Sequence, residues 1–314
     1  MRIAIIIILC VLQQGLSQQD NLYTQYGQTK LYYNPGYAGQ EDQYSITARH
    51  RNQWSGIQGG PSGQALLINF PTVYNVLGFG LSINRNSVGI QEKNEVAGMY
   101  SYKLKIKEVN LNLGLQASFR QFANDFTKDG LFAIDGFEID PSISQERFST
   151  NVFNVGAGLY LNAQRFYLGV SVPRLVKADI DSEATNSLSQ ETRHIYGMFG
   201  LNFNLGSFWQ LRQNNLFKYS ENAPFDFDSQ AIFIYQDQVH LGLNLRAGGS
   251  QKSLLESTGI ILGFRFSPKI LASMSYDFNT TELREFENGS FEILLKYDFI
   301  KDKTPKLIQN PRYY

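Results

Sequence analysis

The chain has 314 residues, and its 28 basic and 28 acidic side chains cancel to a formal charge of zero. That balance excludes the basic footprint of a nucleic-acid-binding protein and any acidic tail. Charged residues make up 18% of the chain, against roughly 25% in an ordinary soluble domain, while aromatics reach 14% with 23 Phe and 18 Tyr.

The first seventeen residues read as a secretory leader. Arg2 is a short positive start, Ile3 to Leu12 is an apolar run, and Gly15 and Ser17 place small side chains before a cut between Ser17 and Gln18. The run is too short to span a bilayer, which takes roughly 20 apolar residues. The single cysteine, Cys10, lies inside this leader behind the bulky Leu9, which argues against a lipoprotein cut. The mature chain is then exported without cysteine, disulfide or thiolate chemistry.

Tyr32 to Gly39, YYNPGYAG, interrupts every periodicity around it. Pro35 fixes φ and removes a donor, Gly36 and Gly39 permit turns, and Asn34 can hydrogen-bond locally. The segment is a bend carrying aromatic side chains.

Beyond it the chain alternates. In Val76 to Asn84, Leu77, Phe79, Leu81 and Ile83 share one side, and Gly78, Gly80, Ser82 and Asn84 the other. Asn110–Phe119, His240–Ala247 and Ser290–Phe299 repeat the design. Strict period two over eight or more residues means a strand with one apolar and one polar face. About 14 such segments occur, most roughly 9–12 residues long, enough for a tilted strand to cross a bilayer. Soluble strands more often run about five or six residues.

Connections alternate in length as well. Tight ones fall at Lys105–Glu108, Asn162–Gln164, Gly206–Ser207, Asp237–Gln238 and Pro268–Lys269, and longer ones at Arg120–Asn151, Pro173–Thr192, Gly248–Glu256 and Thr280–Gly289. Alternation of strands alone fits a soluble sandwich too. Strand length and loop asymmetry favour an all-β transmembrane barrel of the outer membrane, with about 14 antiparallel strands, short periplasmic turns and long extracellular loops. A closed sheet leaves no backbone group unpaired in lipid, and the outer-membrane lipid is then the barrel's first partner. The expected organisation is a leader over 1–17, a periplasmic N-terminal segment or plug over 18–43, the barrel over 44–299 and a periplasmic tail over 300–314.

Little in the chain points to an enzyme. The three histidines, His50, His194 and His240, stand alone without metal-ligand spacing, and no nucleophile elbow or phosphate-cradling loop is present. No metal or cofactor is expected. The polar strand faces place Arg49, Arg51, Arg85, Lys103, Arg120, Arg212, Arg246, Arg265 and Lys296 inward with Asp277, Glu292 and Asp298. Such a lining suits either an open pore for small solutes or a lattice of ion pairs that closes the lumen. Trp54, at the end of the first strand, reads as an interfacial anchor.

The opening YTQYGQTKLYYNPGYAG (Tyr23 to Gly39), RNQW (Arg51 to Trp54) and the closing NPRYY (Asn310 to Tyr314) resemble the PorP/SprF family, outer-membrane barrels tied to type IX secretion and gliding motility in Bacteroidetes. The family usually carries Ala where this chain has Gly36, a change expected to loosen the turn. The resemblance implies binding rather than catalysis. The barrel would hold a secreted cargo, such as a surface adhesin with a C-terminal sorting domain, and contact periplasmic secretion or gliding components. On that reading Tyr32, Tyr33, Asn34, Pro35 and Tyr37 sit on the periplasmic side, wedged into the lower lumen or rim, either as a plain plug or as a docking face with Arg51 and Trp54. Phe126, Phe132 and Phe137, among acidic neighbours in the first long loop, form a docking surface or fold back into the lumen. Arg312 and Tyr313 lie in a basic, aromatic tail that meets a partner or trails freely.

Overall fold

A computed structural model describes residues 22–41, 43–125, 147–177, 180, 191–221, 223–248 and 254–299. Fourteen antiparallel strands follow one another around a closed barrel: β1 Tyr44–Asn52, β2 Ser62–Val73, β3 Leu77–Val88, β4 Gln91–Ile106, β5 Val109–Asp125, β6 Arg147–Asn162, β7 Phe166–Val172, β8 His194–Leu205, β9 Trp209–Ser220, β10 Asp226–Tyr235, β11 Val239–Gly248, β12 Leu255–Ser267, β13 Ile270–Asn279 and β14 Ser290–Phe299. Pairing of β1 with β14, from Tyr44 opposite Phe299 to Asn52 opposite Phe291, closes the sheet. No edge strand remains, so the backbone ladder is satisfied within the barrel. Among the described residues no helix is long and apolar enough to cross a membrane; the strands do so.

The period-two pattern becomes two surfaces. Outward side chains such as Leu115, Phe153, Leu159 and Leu243 are more than half exposed. An apolar belt this continuous marks a lipid-facing wall. Inward side chains are mostly polar and mostly buried.

All six connections at one end are short, and both ends of the barrel chain, Tyr44 and Phe299, lie there. Left-handed residues make several of these turns: Tyr74 and Asn75 before β3, Lys107 before β5, and Gln236 and Asp237 before β11. By the rule for outer-membrane barrels this short-turn end faces the periplasm and the long-loop end the exterior. Two expectations change. The long connection expected at Arg120–Asn151 shrinks to residues 126–146, because β5 and β6 stay paired to Asp125 opposite Arg147. Between β3 and β4 only Gly89 and Ile90 intervene, so one turn at the long-loop end is tight.

Candidate functional site: a filled lumen

The N-terminal segment lies inside the barrel. Leu22 sits at the long-loop end against His194, Lys218, Ser220 and Asp226, and the chain descends from there to Glu41 at the short-turn end. The sequence reading wedges this segment into the lower lumen or rim from the periplasmic side, as a plug or a docking face. It reaches further than that and spans the lumen, because the inner wall supplies partners for its backbone at every level.

At the top the partners are charged. Glu292 accepts from the amides of Thr24 (2.9 Å) and Gln25 (3.1 Å), and the Thr24 hydroxyl donates to Asp277 at 2.5 Å. Arg51 bridges the same carboxylates, 2.6 Å from Asp277 and 3.3 Å from Glu292, and donates to Thr24 Oγ1. Further round the same wall, on β9–β11, Asp228 lies between Lys218 (2.5 Å) and Arg246 (2.7 Å), and Arg246 reaches the Tyr23 carbonyl. Arg120, from β5, joins Glu95 on β4, and both Arg120 and Arg174 engage Glu191, which draws the ends of the β7–β8 connection inward. These groups are nearly all buried, so each charge is held by an opposite charge and by hydrogen bonds, as burial demands.

In the middle the partners are aromatic. The Arg49 guanidinium lies 3.3 Å from the Tyr23 ring centroid and donates to Thr29 Oγ1. Tyr23, Tyr26 and Tyr33 pack with Tyr160, Tyr167, Tyr196, Met198 and Leu216 of the wall, with Tyr32 and Tyr37 at the margin. The Tyr26 hydroxyl donates to the carbonyls of Asn214 and Asp228.

At the bottom the partners are small. One helical turn, α1 (Lys30–Tyr33), ends at Asn34, which is extended as a residue before proline must be, and whose side chain accepts from Gly36. Asn34 also donates to the Leu159 carbonyl on β6. The bend then presses on the wall where the wall has no side chains. A Cβ on Gly114 would stand 2.1 Å from the Gly36 nitrogen, one on Gly158 2.2 Å from Asn34 Oδ1, and one on Gly78 2.3 Å from the Ala38 carbonyl. Gly39 takes φ of 73° against Gly78 and donates to Asn69. Ser171 and Ser101 donate to the carbonyls of Tyr33 and Ala38.

Of the residues singled out in the sequence, Tyr32, Tyr33, Asn34, Pro35, Tyr37 and Arg51 meet in this one lumen. Trp54 does not. It adopts φ of 56° in the β1–β2 connection at the long-loop end, where its amide donates to Ser290. Trp209 lies 4.8 Å from the Tyr235 ring at the lower outer rim. Arg85 is also corrected: it has the outward parity of Ile83, is largely exposed, and pairs with Glu92. Phe126, Phe132, Phe137, Arg312 and Tyr313 lie outside the described residues. The sequence reading missed Thr24, Gln25, Asp228, Arg174 and Glu191, and the wall glycines as a matched set. Among the described residues no three metal-binding side chains gather.

The short-turn mouth differs from the rest. Asn202 and Asn204, at lumen-facing positions of β8, are exposed, and Gln210, Arg212, Gln28 and Lys30 are partly so. Lys30 lies 3.7 Å from the Tyr167 ring centroid and 5.7 Å from that of Tyr37, and Arg212 donates to Gln210 at 3.5 Å; among the described residues neither cation forms an ion pair, with Glu41 and Asp237 acting on them at longer range. Burial, reinforced by the Arg212 charge, lowers the Lys30 ammonium to about 7.

A family model described as "Type IX secretion system membrane protein PorP/SprF" matches residues 15–297. The sequence has no significant match among curated proteins. Among solved structures, the barrel resembles the CymD monoaromatic hydrocarbon channel (TM-score 0.52, 10% identity, 91% of this chain and 96% of that one). It also matches Omp33 of Acinetobacter baumannii (TM-score 0.47, 9% identity, 83% and 100%) and the Ralstonia pickettii toluene transporter TbuX (0.48, 10%, 85% and 92%). At these identities the likeness is one of fold alone.

Proposed function

The chain belongs to the PorP/SprF family of type IX secretion system membrane proteins, and from that premise we propose that it is a non-enzymatic outer-membrane scaffold. It holds a secreted cargo, such as a surface adhesin with a C-terminal sorting domain, and links it to periplasmic secretion or gliding components. The observation that supports this best is the filled lumen. Residues 22–41 occupy the barrel with partners from top to bottom, so the interior acts as a rigid core and the two ends of the barrel are left to bind. A conduit for solutes would need that segment to leave.

Purification of the tagged protein from its native outer membrane in mild detergent, with mass spectrometry of what accompanies it, tests the reading. A large secreted protein with a C-terminal sorting domain, together with periplasmic machinery, is the expected result. A partnerless barrel that conducts ions in planar bilayers would replace this reading with the channel.

A further inference from the structure

We propose that the recess between the plug and strands β7–β10 at the short-turn mouth binds a carboxylate-bearing peptide segment entering from the periplasm. Lys30 and Arg212 meet the carboxylates, and Asn202, Asn204 and Gln210 take the peptide backbone. The proposal rests on the reading above, to which it adds the chemistry of the periplasmic contact.

Charge supplies the first observation. Lys296, Arg265, Glu41, Asp237 and Asp298 gather at the same mouth, two cations and three carboxylates joined in ion pairs. Lys296 pairs with Glu41 at 2.8 Å and Asp298 at 3.6 Å, while Arg265 contacts Asp298 at 3.5 Å and Asp237 at 3.7 Å. Among the described residues Lys30 and Arg212 form no ion pair; Glu41 and Asp237 act on them only from further off, and with both charged the mouth keeps one net positive charge against low-dielectric walls, which strengthen its field on an entering anion. Higher in the lumen the buried cations Arg51, Arg120, Lys218 and Arg246 already have carboxylates. Arg49, at mid-height, also lacks a carboxylate among the described residues, but it is enclosed by the plug through the Tyr23 ring and Thr29, whereas Lys30 and Arg212 stand at an opening.

The inner wall's way of holding the plug supplies the second. Its amides and hydroxyls cap a peptide chain: Gln230 donates to the Thr24 carbonyl, Ser171 to Tyr33, Ser101 to Ala38, and Asn69 accepts from Gly39. Asn202 and Asn204 continue that lining past the plug with their side chains open to the mouth. They stand two residues apart on one strand face, about 6.6–6.8 Å, which is also the repeat of alternate peptide units in an extended chain. A free phosphate would use the two cations and leave this amide row idle.

Binding of fluorescein-labelled hexaglutamate to the full chain in detergent, followed by anisotropy, tests the proposal. Hexaglutamate should bind with strong salt dependence and labelled hexalysine should not. The Lys30→Gln/Arg212→Gln double variant should bind about tenfold or more weakly, and Lys30→Arg should retain binding. Asn202→Ala/Asn204→Ala, at exposed positions that do not touch the plug core, should also weaken binding, and thermal melts of every variant check the fold. Equal binding by wild type and the double variant overturns the proposal. So does displacement of the peptide by inorganic phosphate at matched charge, which would make the recess a site for free anions. Absent hexaglutamate binding with native partners still co-purifying sinks the recess alone; hexaglutamate binding without native partners sinks the anchoring reading alone.

Discussion

The two ends of the lumen are built by different rules. At the long-loop end the plug is clamped by buried carboxylates, guanidiniums and amides, and the inward groups there are enclosed. At the short-turn end it is seated by shape on bare glycine backbone, and beside it lie two cations that form no ion pair among the described residues and a row of open amides. Buried ion pairs are costly to break once one partner is removed, whereas unpaired groups at an opening are available to a ligand. On the proposal above, stability belongs to the top of the plug and recognition to its base.

The sharpest way to break this comparison is at the top. Glu292→Ala removes the acceptor for two plug amides and one of two carboxylates on Arg51. It should lower unfolding stability toward the lower end of the ~3–5 kcal/mol range, since Asp277 remains; urea denaturation reads this. Gly114→Val pushes a side chain into the Gly36 backbone. Overpacking of this kind costs about 1–3 kcal/mol, and because backbone cannot step aside, the variant should eject the plug and conduct in planar bilayers where the wild-type chain does not. Asn34→Ala loses the Gly36 cap and the bond to Leu159 and should cost about 1–2 kcal/mol, read by the same denaturation.

At the base, pH sharpens the comparison. Lys30, facing Arg212, Lys296, Glu41, Tyr37 and Tyr167, is lowered to about 7 chiefly by burial. A bound carboxylate favours its charged form, so the added affinity for hexaglutamate is present below about pH 7 and falls as pH rises above it. Titration from about pH 6 to about pH 9 checks the sign, and Lys30→Arg should flatten the profile. The smallest effect is expected for Gly36→Ala: its Cβ would meet the Tyr160 backbone at 3.0 Å, a contact relieved by a small shift. A melt should place it within about 1 kcal/mol of wild type.

The barrel was legible because lipid outside and polar groups inside impose period two on each strand, as in Leu111 to Phe119. The plug's chemistry was partly legible too, since Asn34, Pro35 and Gly39 announce a bend. Its reach up the lumen was not. Thr24 meets Glu292 and Asp277 across more than 250 residues of sequence, and nothing local marks a threonine as the ligand of a distant carboxylate. The glycines carried a readable signal that needed a partner to interpret. Gly78, Gly114 and Gly158 sit at inward positions of β3, β5 and β6, a pattern that a wall receiving backbone would require. Arg85 continues the outward parity that Leu77, Phe79 and Ile83 set on the same strand.

The central claim is that residues 22–41 run up the inside of the barrel to its long-loop end. Gln25→Cys with Ser273→Cys tests that the segment lies inside the barrel, since these plug and β13 side chains hydrogen-bond, and Thr24→Cys with Asp277→Cys tests its reach toward the long-loop end. The leader that holds the only native cysteine, Cys10, is expected to be removed. Treatment of intact cells with dibromobimane, which fluoresces once both of its arms are bound to thiols, should yield a fluorescent, internally bridged chain. Single labelling of the Gln25→Cys thiol from the periplasm, without a bridge, would contradict the account.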